Sequence, residues 1–311
     1  MNKYSFQLVQ YDRSGPLEDQ STLLNRPFTT TGNSFAEDAK RFVPGEQLET
    51  AINTAIAVGE PLLITGEPGT GKTQAAYYAA YKLGIEPVLH FQVKSDISAR
   101  DLLYHFDTVR YFHDAHFSQN GEALHKAKYV ERRALWEAFV SPHPRVLLID
   151  EIDKAPRDFP NDLLHELDKM EFTVVETDET ISASKAKRPI VFITSNSERR
   201  LPEPFLRRCV YHHIRFDDDL VAKAVEKRKD EYARLSDDFI KLAMQRFLAL
   251  RDRTLRKRPS TSEFLVWLRV LALTVGASPE RLDQDLSKLP YLGVLLKDHQ
   301  DIEELGNKAR F

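Results

Sequence analysis

The stretch Gly66-Glu67-Pro68-Gly69-Thr70-Gly71-Lys72-Thr73 has the spacing Gly-x-x-x-x-Gly-Lys-Thr. Each residue type in it answers a need of phosphate chemistry. Glycines let the backbone curl so that successive N–H groups point inward, where they can cradle phosphate oxygens. A helix opening directly after the loop adds the positive end of its dipole. Lys72 would set a cation against β- and γ-phosphates, and Thr73 offers a hydroxyl to Mg2+. Further along, Arg145-Val146-Leu147-Leu148-Ile149 ends in Asp150 and Glu151. Asp150 is suited to hold Mg2+, and Glu151 to polarise an attacking water as general base. Pro189-Ile190-Val191-Phe192-Ile193-Thr194-Ser195 ends in Asn196, whose neutral amide can orient that water without repelling a γ-phosphate. Taken singly, Asp150-Glu151 reads as an acidic turn and Asn196 as a turn residue. The order cradle, carboxylates, amide favours binding and hydrolysis of ATP with Mg2+.

Such groups must be carried by strands that end on one side. Pro61 to Thr65 is a short apolar run bounded by Pro and Gly, which suits a buried parallel strand. Val88 to Val93, Arg145 to Ile149 and Ile190 to Thr194 read as three more. Between them, Glu46 to Val58 carries Leu48, Ala51, Ile52, Ala55 and Ile56 at helical spacing, and Lys72 to Leu83 reads as a helix stopped by Gly84. Alternating strands and helices imply an α/β fold, a parallel sheet with helices on both faces. After Asp219 the strands cease. Val221 to Arg251 and Ser262 to Val275 read as helices, so a small all-helical domain is expected over 218–311, following a nucleotide-binding domain over 41–217. Residues 1–40, rich in Ser, Thr, Asn, Gln and Asp, are expected to form an N-terminal arm.

The chain has 311 residues, with 44 Lys and Arg against 47 Asp and Glu, a net charge of -3. No overall basic field recommends a nucleic acid as partner. The 42% hydrophobic and 29% charged content is ordinary for a globular protein. One cysteine, Cys209, excludes an intrachain disulfide and a Cys-based zinc site, and suits a reducing cytoplasm. Met1 to Tyr11 lacks a basic start before an apolar run, so no signal peptide is expected. No run of eighteen apolar residues predicts a membrane-spanning helix.

The set of motifs resembles the AAA+ ATPases. The phrases from Gly66 to Thr73, Asp150-Glu151-Ile152-Asp153-Lys154-Ala155, Thr194-Ser195-Asn196, Asp101-Leu102-Leu103-Tyr104 within Lys94 to Asp107, and Leu201-Pro202-Glu203-Pro204-Phe205-Leu206-Arg207-Arg208 look most like the MoxR-type branch. The resemblance covers about residues 43–275. It implies a P-loop NTPase sheet followed by a helical lid, and a ring, usually a hexamer, with ATP sites between subunits. It also implies chaperone-like remodelling of a protein client, often with a partner carrying a von Willebrand factor A domain. In the family an arginine after the fourth strand reaches the neighbouring subunit's γ-phosphate. Arg208, or Arg207 beside it, stands in that position, unless both are surface arginines paired with Glu198 or Glu203.

The family also carries an arginine at the start of a lid helix that senses nucleotide. Here that position falls near Glu263, an acid, and Arg258 is the available substitute. Ser260 to Glu263 has the look of a helix start with a capping pair. Glu171 to Glu176, then polar residues, then Ile181 alternate like a hairpin. His113 and His116 flank Asp114 with no further ligand evident, in an aromatic stretch from Tyr104 to Asn120 that reads as loop. Cys209 reads as a small buried hydrophobe, and Trp136 and Trp267 as core. Three other readings stay open: a nucleotide-regulated switch with little hydrolysis, a small-molecule kinase and a nucleic-acid motor. The last two are disfavoured by the helical tail with paired arginines and by the charge balance.

Overall fold

In the computed structural model, residues 34–117, 124–196, 199–273 and 279–308 are described. Of the expected N-terminal arm, only residues 34–40 fall within these. The chain divides into two compact units, one spanning 42–216 and the other combining the residues up to Arg41 with those from Asp217 onward.

Among the described residues the first unit contains nine strands: β1 Leu62–Gly66, β2 Leu89–Gln92, β3 Tyr104–Phe106, β4 Val130–Arg132, β5 Val146–Asp150, β6 Glu171–Val174, β7 Glu179–Ser182, β8 Ile190–Ser195 and β9 Val210–Ile214. Five of them form one sheet in the order β2-β5-β8-β1-β9, all neighbours parallel. The near-continuous apolar runs of β1, β5 and β8 follow from burial on both faces. Alternate residues divide between two cores. Leu62, Ile64, Val146, Leu148 and Phe192 pack with the helices Glu46–Val58 and Lys72–Leu83 on one face. Leu63, Leu147, Ile149, Val191 and Ile193 face the opposite core with Trp136, Phe139, Phe159 and Phe172. Each such Leu or Ile, fully buried, contributes roughly 1.5–3 kcal/mol. The helix Lys72–Leu83 meets the sheet through Ala75, Ala76, Ala79 and Ala80, whose small side chains allow close approach, and ends at Gly84 with φ 67°. This is the expected P-loop α/β sheet with helices on both faces.

Chain order and sheet order place a crevice. From β1 the chain crosses β8 and β5 to reach β2, whereas from β8 it passes β1 to reach β9. Connections leaving two adjacent strands in opposite directions open a gap above their carboxyl ends, where doubly wound sheets bind ligands.

Among the described residues two further two-stranded antiparallel sheets are present, β3 with β4 and β6 with β7. The expected pairing of Glu171–Val174 with Glu179–Ser182 is present. The stretch Tyr104–Asn120, read as loop, is not one in its described part. β3 pairs antiparallel with β4, and Thr108–Phe117 is helical. That helix buries none of its residues, and Val109 and Phe112 are strongly exposed. It therefore has no inward apolar stripe for periodicity to reveal.

Among the described residues the second unit contains helices and turns and no strand. The helix expected over Val221 to Arg251 is broken. Asp218–Glu226 is followed by a 3-10 turn, Lys229–Tyr232, and a new helix, Asp237–Arg251. Asp217 and Ser236 cap the two helices by accepting amide hydrogen bonds. The break buries Tyr232 and sets Glu231 between Arg41 and Arg269, at 2.7 and 2.6 Å. The helix Thr261–Leu273 opens on the expected capping pair: Glu263 accepts from the Ser260 amide at 2.7 Å, and Ser260 Oγ accepts from the Glu263 amide at 3.4 Å. Trp136 and Trp267 are both core residues.

Candidate functional site

The loop between β1 and the helix Lys72–Leu83 has the backbone its glycines require. Gly66, Gly69 and Gly71 hold φ values of 151°, 73° and 92°. A Cβ on Gly66 would lie 2.7 Å from the Ile214 carbonyl oxygen, and one on Gly71 would lie 2.7 Å from the Phe42 ring. Glu67, Pro68 and Gly69 are exposed at the loop tip, and Thr70 donates to the Glu67 carbonyl at 2.8 Å. Lys72 is buried, and its ammonium donates to the Gly66 and Glu67 carbonyls, each at 2.9 Å. Burial lowers its pKa, an effect partly offset by the carboxylates of Asp153, Asp150, Glu151 and Glu67.

Thr73 stands one residue into the helix and donates to Asp150 Oδ1 at 3.0 Å, with Oδ2 at 3.2 Å. Asp150 lies at the carboxyl end of β5, two strands from β1, and is buried. Burial by itself would raise its pKa. Hydrogen bonds from His90, Thr194 and Thr73 outweigh burial and hold the carboxyl below its ordinary value. A hydroxyl and a carboxylate at this separation are hard oxygen donors of the kind Mg2+ takes, and that ion uses few protein ligands while keeping waters or phosphate oxygens. The donor set therefore fits Mg2+.

Glu151 follows in a left-handed conformation, φ 61°, with its amide donating to Thr194 Oγ1 at 2.9 Å. Its carboxylate accepts from Asn196 Nδ2 at 3.4 Å on one oxygen, and from Gln92 Nε2 at 2.6 Å and Lys154 Nζ at 2.5 Å on the other. The Asn196 amide also donates to Asp153 at 3.2 Å. The carboxylates and the amide singled out in the sequence thus come together at the ends of β5 and β8, and Thr73 joins them from the start of the helix after β1.

The sequence assigned no role to three contributors to this cluster, although Thr194 stands in the phrase Thr194-Ser195-Asn196. His90 and Gln92 sit on β2, and Thr194 on β8; only the pairing of β2 with β5 and β5 with β8 brings them to the carboxylates. Alternation along a strand ending in polar residues is the one local hint, and it does not name a partner.

Arg207 and Arg208 follow the short helix Glu203–Leu206 and bond elsewhere. Arg207 pairs with Glu203 at 2.6 Å and is largely exposed. Arg208 donates from Nε to Asp168 and from Nη1 to the Pro204 carbonyl at 3.2 Å. Arg258 is exposed in the second unit. Glu198, weighed as a partner of the arginines, lies outside the described residues. His113 pairs with Asp114 at 3.1 Å, and among the described residues no group of three or more His, Cys, Asp or Glu is placed to hold a metal. Cys209 is half-buried rather than fully buried. No helix among the described residues is long and apolar enough to cross a membrane.

Residues 61–209 match the family model of the AAA domain, dynein-related subfamily. A search of the curated proteins found no match. Among solved structures, a protein of Cytophaga hutchinsonii described as a candidate ATPase is similar at 15% sequence identity and a TM-score of 0.42, over 89% of this chain and 93% of that one.

Proposed function

We propose, supported by the match of residues 61–209 to the AAA domain family model, that the chain hydrolyses ATP at the interfaces of a ring, in the manner of the MoxR-type branch, to remodel a protein partner. The observation that carries the reading is the meeting of Thr73, from the phosphate loop, with Asp150 at 3.0 Å, beside Glu151 and Asn196. Backbone amides of Gly66 to Thr73 bind the phosphates, and Lys72 exchanges its loop carbonyls for the β- and γ-phosphate oxygens. Thr73 and Asp150 hold Mg2+, which when bound supplies positive charge to the phosphate oxygens. Glu151 accepts the proton of the attacking water, and Asn196 orients that water against Glu151 Oε1. Arg208 of a neighbouring copy, rather than Arg207, adds a cation where negative charge grows in the transition state. Arg258 contacts nucleotide from the lid in place of the family's arginine. A hexamer, a client with a von Willebrand factor A domain and a cytoplasmic setting complete the reading.

Glu151→Gln tests it. In a pure, assembled sample the variant is expected to bind ATP and release no phosphate above a Lys72→Ala control. Full turnover by Glu151→Gln would remove the assigned base. A second reading, a nucleotide-regulated switch with little hydrolysis, is favoured by one contact: the Glu151 carboxylate is tied to Lys154 at 2.5 Å. Absence of phosphate release by the wild-type protein, with partners present, would select it.

A further inference from the structure

Asp150 is held by side chains that phosphate binding itself does not call for. Tyr77 lies one helical turn beyond Thr73, so both side chains reach the same side of the helix Lys72–Leu83. Its hydroxyl is 3.0 Å from His90 Nδ1, and the two rings meet edge to face with centroids 5.9 Å apart. On the other side of the imidazole, Nε2 is 3.2 Å from Asp150 Oδ2. A neutral ring satisfies both contacts, with Nε2–H donating to the carboxylate and Nδ1 accepting from the phenol. Asp150 Oδ1 accepts from Thr194 and Thr73, and the Thr73 hydroxyl also lies 3.2 Å from Oδ2.

The last torsion of an aspartate is soft, with broad wells. Without His90, Oδ2 keeps only the Thr73 hydroxyl that it shares with Oδ1, whereas the imidazole gives it an anchor of its own and fixes the carboxylate plane from both ends. We propose that His90, buttressed by Tyr77, is a positioning residue that fixes the rotation of the Asp150 carboxylate so that it faces Thr73 and whatever cation the two share. Partners of this outer kind, one bond removed from the ion, orient metal-binding groups, and losing them costs metal affinity about 10–100-fold. The inference rests on the nucleotide-site reading above.

The test uses the full chain as wild type, His90→Leu, His90→Gln and Tyr77→Phe, titrated with a fluorescent ATP analogue in chelator and in graded Mg2+, with thermal unfolding measured without ligand. His90→Leu is expected to bind the analogue in chelator within about twofold of wild type and to need about 10-fold more Mg2+ for the magnesium-enhanced signal. His90→Gln, which keeps a donor toward Asp150, recovers most of the loss, and Tyr77→Phe falls between. A magnesium requirement unchanged in His90→Leu, with wild type showing ordinary enhancement, overturns the assignment alone. Equal loss in chelator for His90→Leu and His90→Gln also overturns it, since that marks general damage. If His90→Leu shows no folding transition, Tyr77→Phe decides: a raised requirement at wild-type melting temperature supports the role, and an unchanged one removes it. Wild-type protein that binds no analogue under either condition overturns the nucleotide-site reading and this inference with it.

Discussion

Thr194 Oγ1 lies 2.5 Å from Asp150 Oδ1, although 44 residues separate the two in the chain. The same hydroxyl oxygen accepts from the Glu151 amide at 2.9 Å. One buried atom therefore fixes both the carboxylate proposed to hold the cation and the backbone of the carboxylate proposed to activate water. Thr194→Val keeps the shape of the side chain and deletes the link. It leaves the Glu151 amide without its acceptor and Asp150 short of a donor. Denaturant unfolding is expected to show a loss of about 1–3 kcal/mol, and phosphate release to fall more steeply than ATP affinity. Thr194→Ser should restore both.

The cradle has its own mechanical test. Gly71 holds φ 92°, and a Cβ there would lie 2.7 Å from the Phe42 ring. Gly71→Ala meets two penalties, a strained backbone and a clash, and is expected to cost about 1–3 kcal/mol. Adding Phe42→Leu relieves the clash and leaves the backbone strain. The double variant should therefore recover part of the stability, with a measurable coupling energy between the sites. Strict additivity would mean that the ring does not constrain the loop.

Cys209 gives a pH-dependent readout away from the site. Burial, with smaller contributions from the Glu60 and Asp168 carboxylates, pushes its thiol up to about 12, and Sγ donates to the Phe205 carbonyl at 3.4 Å. The folded pKa lies above the unfolded one, so its stabilising effect is complete below the ordinary thiol pKa of about 8.5 and is lost as pH rises toward the folded value. Thiol labelling at pH near 8 is expected to be at least about a hundredfold slower in native than in urea-unfolded protein, since the thiolate is the reacting form. Between about pH 9 and 11 the wild type should lose more stability than Cys209→Ala. Equal labelling rates in the two states would contradict the burial argument.

Glu263 stands where the family resemblance leads one to expect an arginine, and its contacts explain the acid. Its carboxylate accepts from both the amide and the hydroxyl of Ser260, at 2.7 and 2.9 Å. Glu263→Arg breaks this reciprocal cap and places a cation in the first helical turn. Both effects disfavour the helix, and a loss of about 1 kcal/mol is expected by thermal or denaturant unfolding. Glu263→Gln keeps the capping geometry and should cost less.

What the sequence disclosed, and what it withheld, divides along physical lines. The glycine-bearing turn before Lys72, the Asp150-Glu151 and Asn196 strand ends, the Gly84 stop and the Ser260-Glu263 cap depend on a few consecutive residues, so the linear order carries them. His90, Gln92 and Thr194 acquire meaning only when β2 is placed beside β5 and β5 beside β8, and a single sequence states no such register. The helix Thr108–Phe117 escaped because its apolar side chains point outward. The break after Glu226 escaped because buried Tyr232 and the ion pairs of Glu231 are tertiary, and helical propensity on either side does not register them.

The two arginines after Leu206 differ in how they are held, and the difference predicts unequal effects. Arg208 is fixed at Nε by Asp168 and at Nη1 by the Pro204 carbonyl. Arg207 makes one pair with Glu203, both partners largely exposed, a contact worth little. A cation held in place beforehand loses less freedom on meeting a phosphate across an interface. Within the proposed ring, Arg208→Ala is expected to lower turnover by about 10³-fold while ATP affinity persists, and Arg207→Ala to change it by only a few-fold. Mixing gives the sharper measurement. Arg208→Ala subunits keep Lys72, Asp150 and Glu151, and Glu151→Gln subunits keep Arg208. Combined, they should regain turnover that neither has alone, because an intact site forms wherever the second kind presents its arginine to the first. Recovery absent from a mixture shown by size to have co-assembled would place Arg208 outside the reaction.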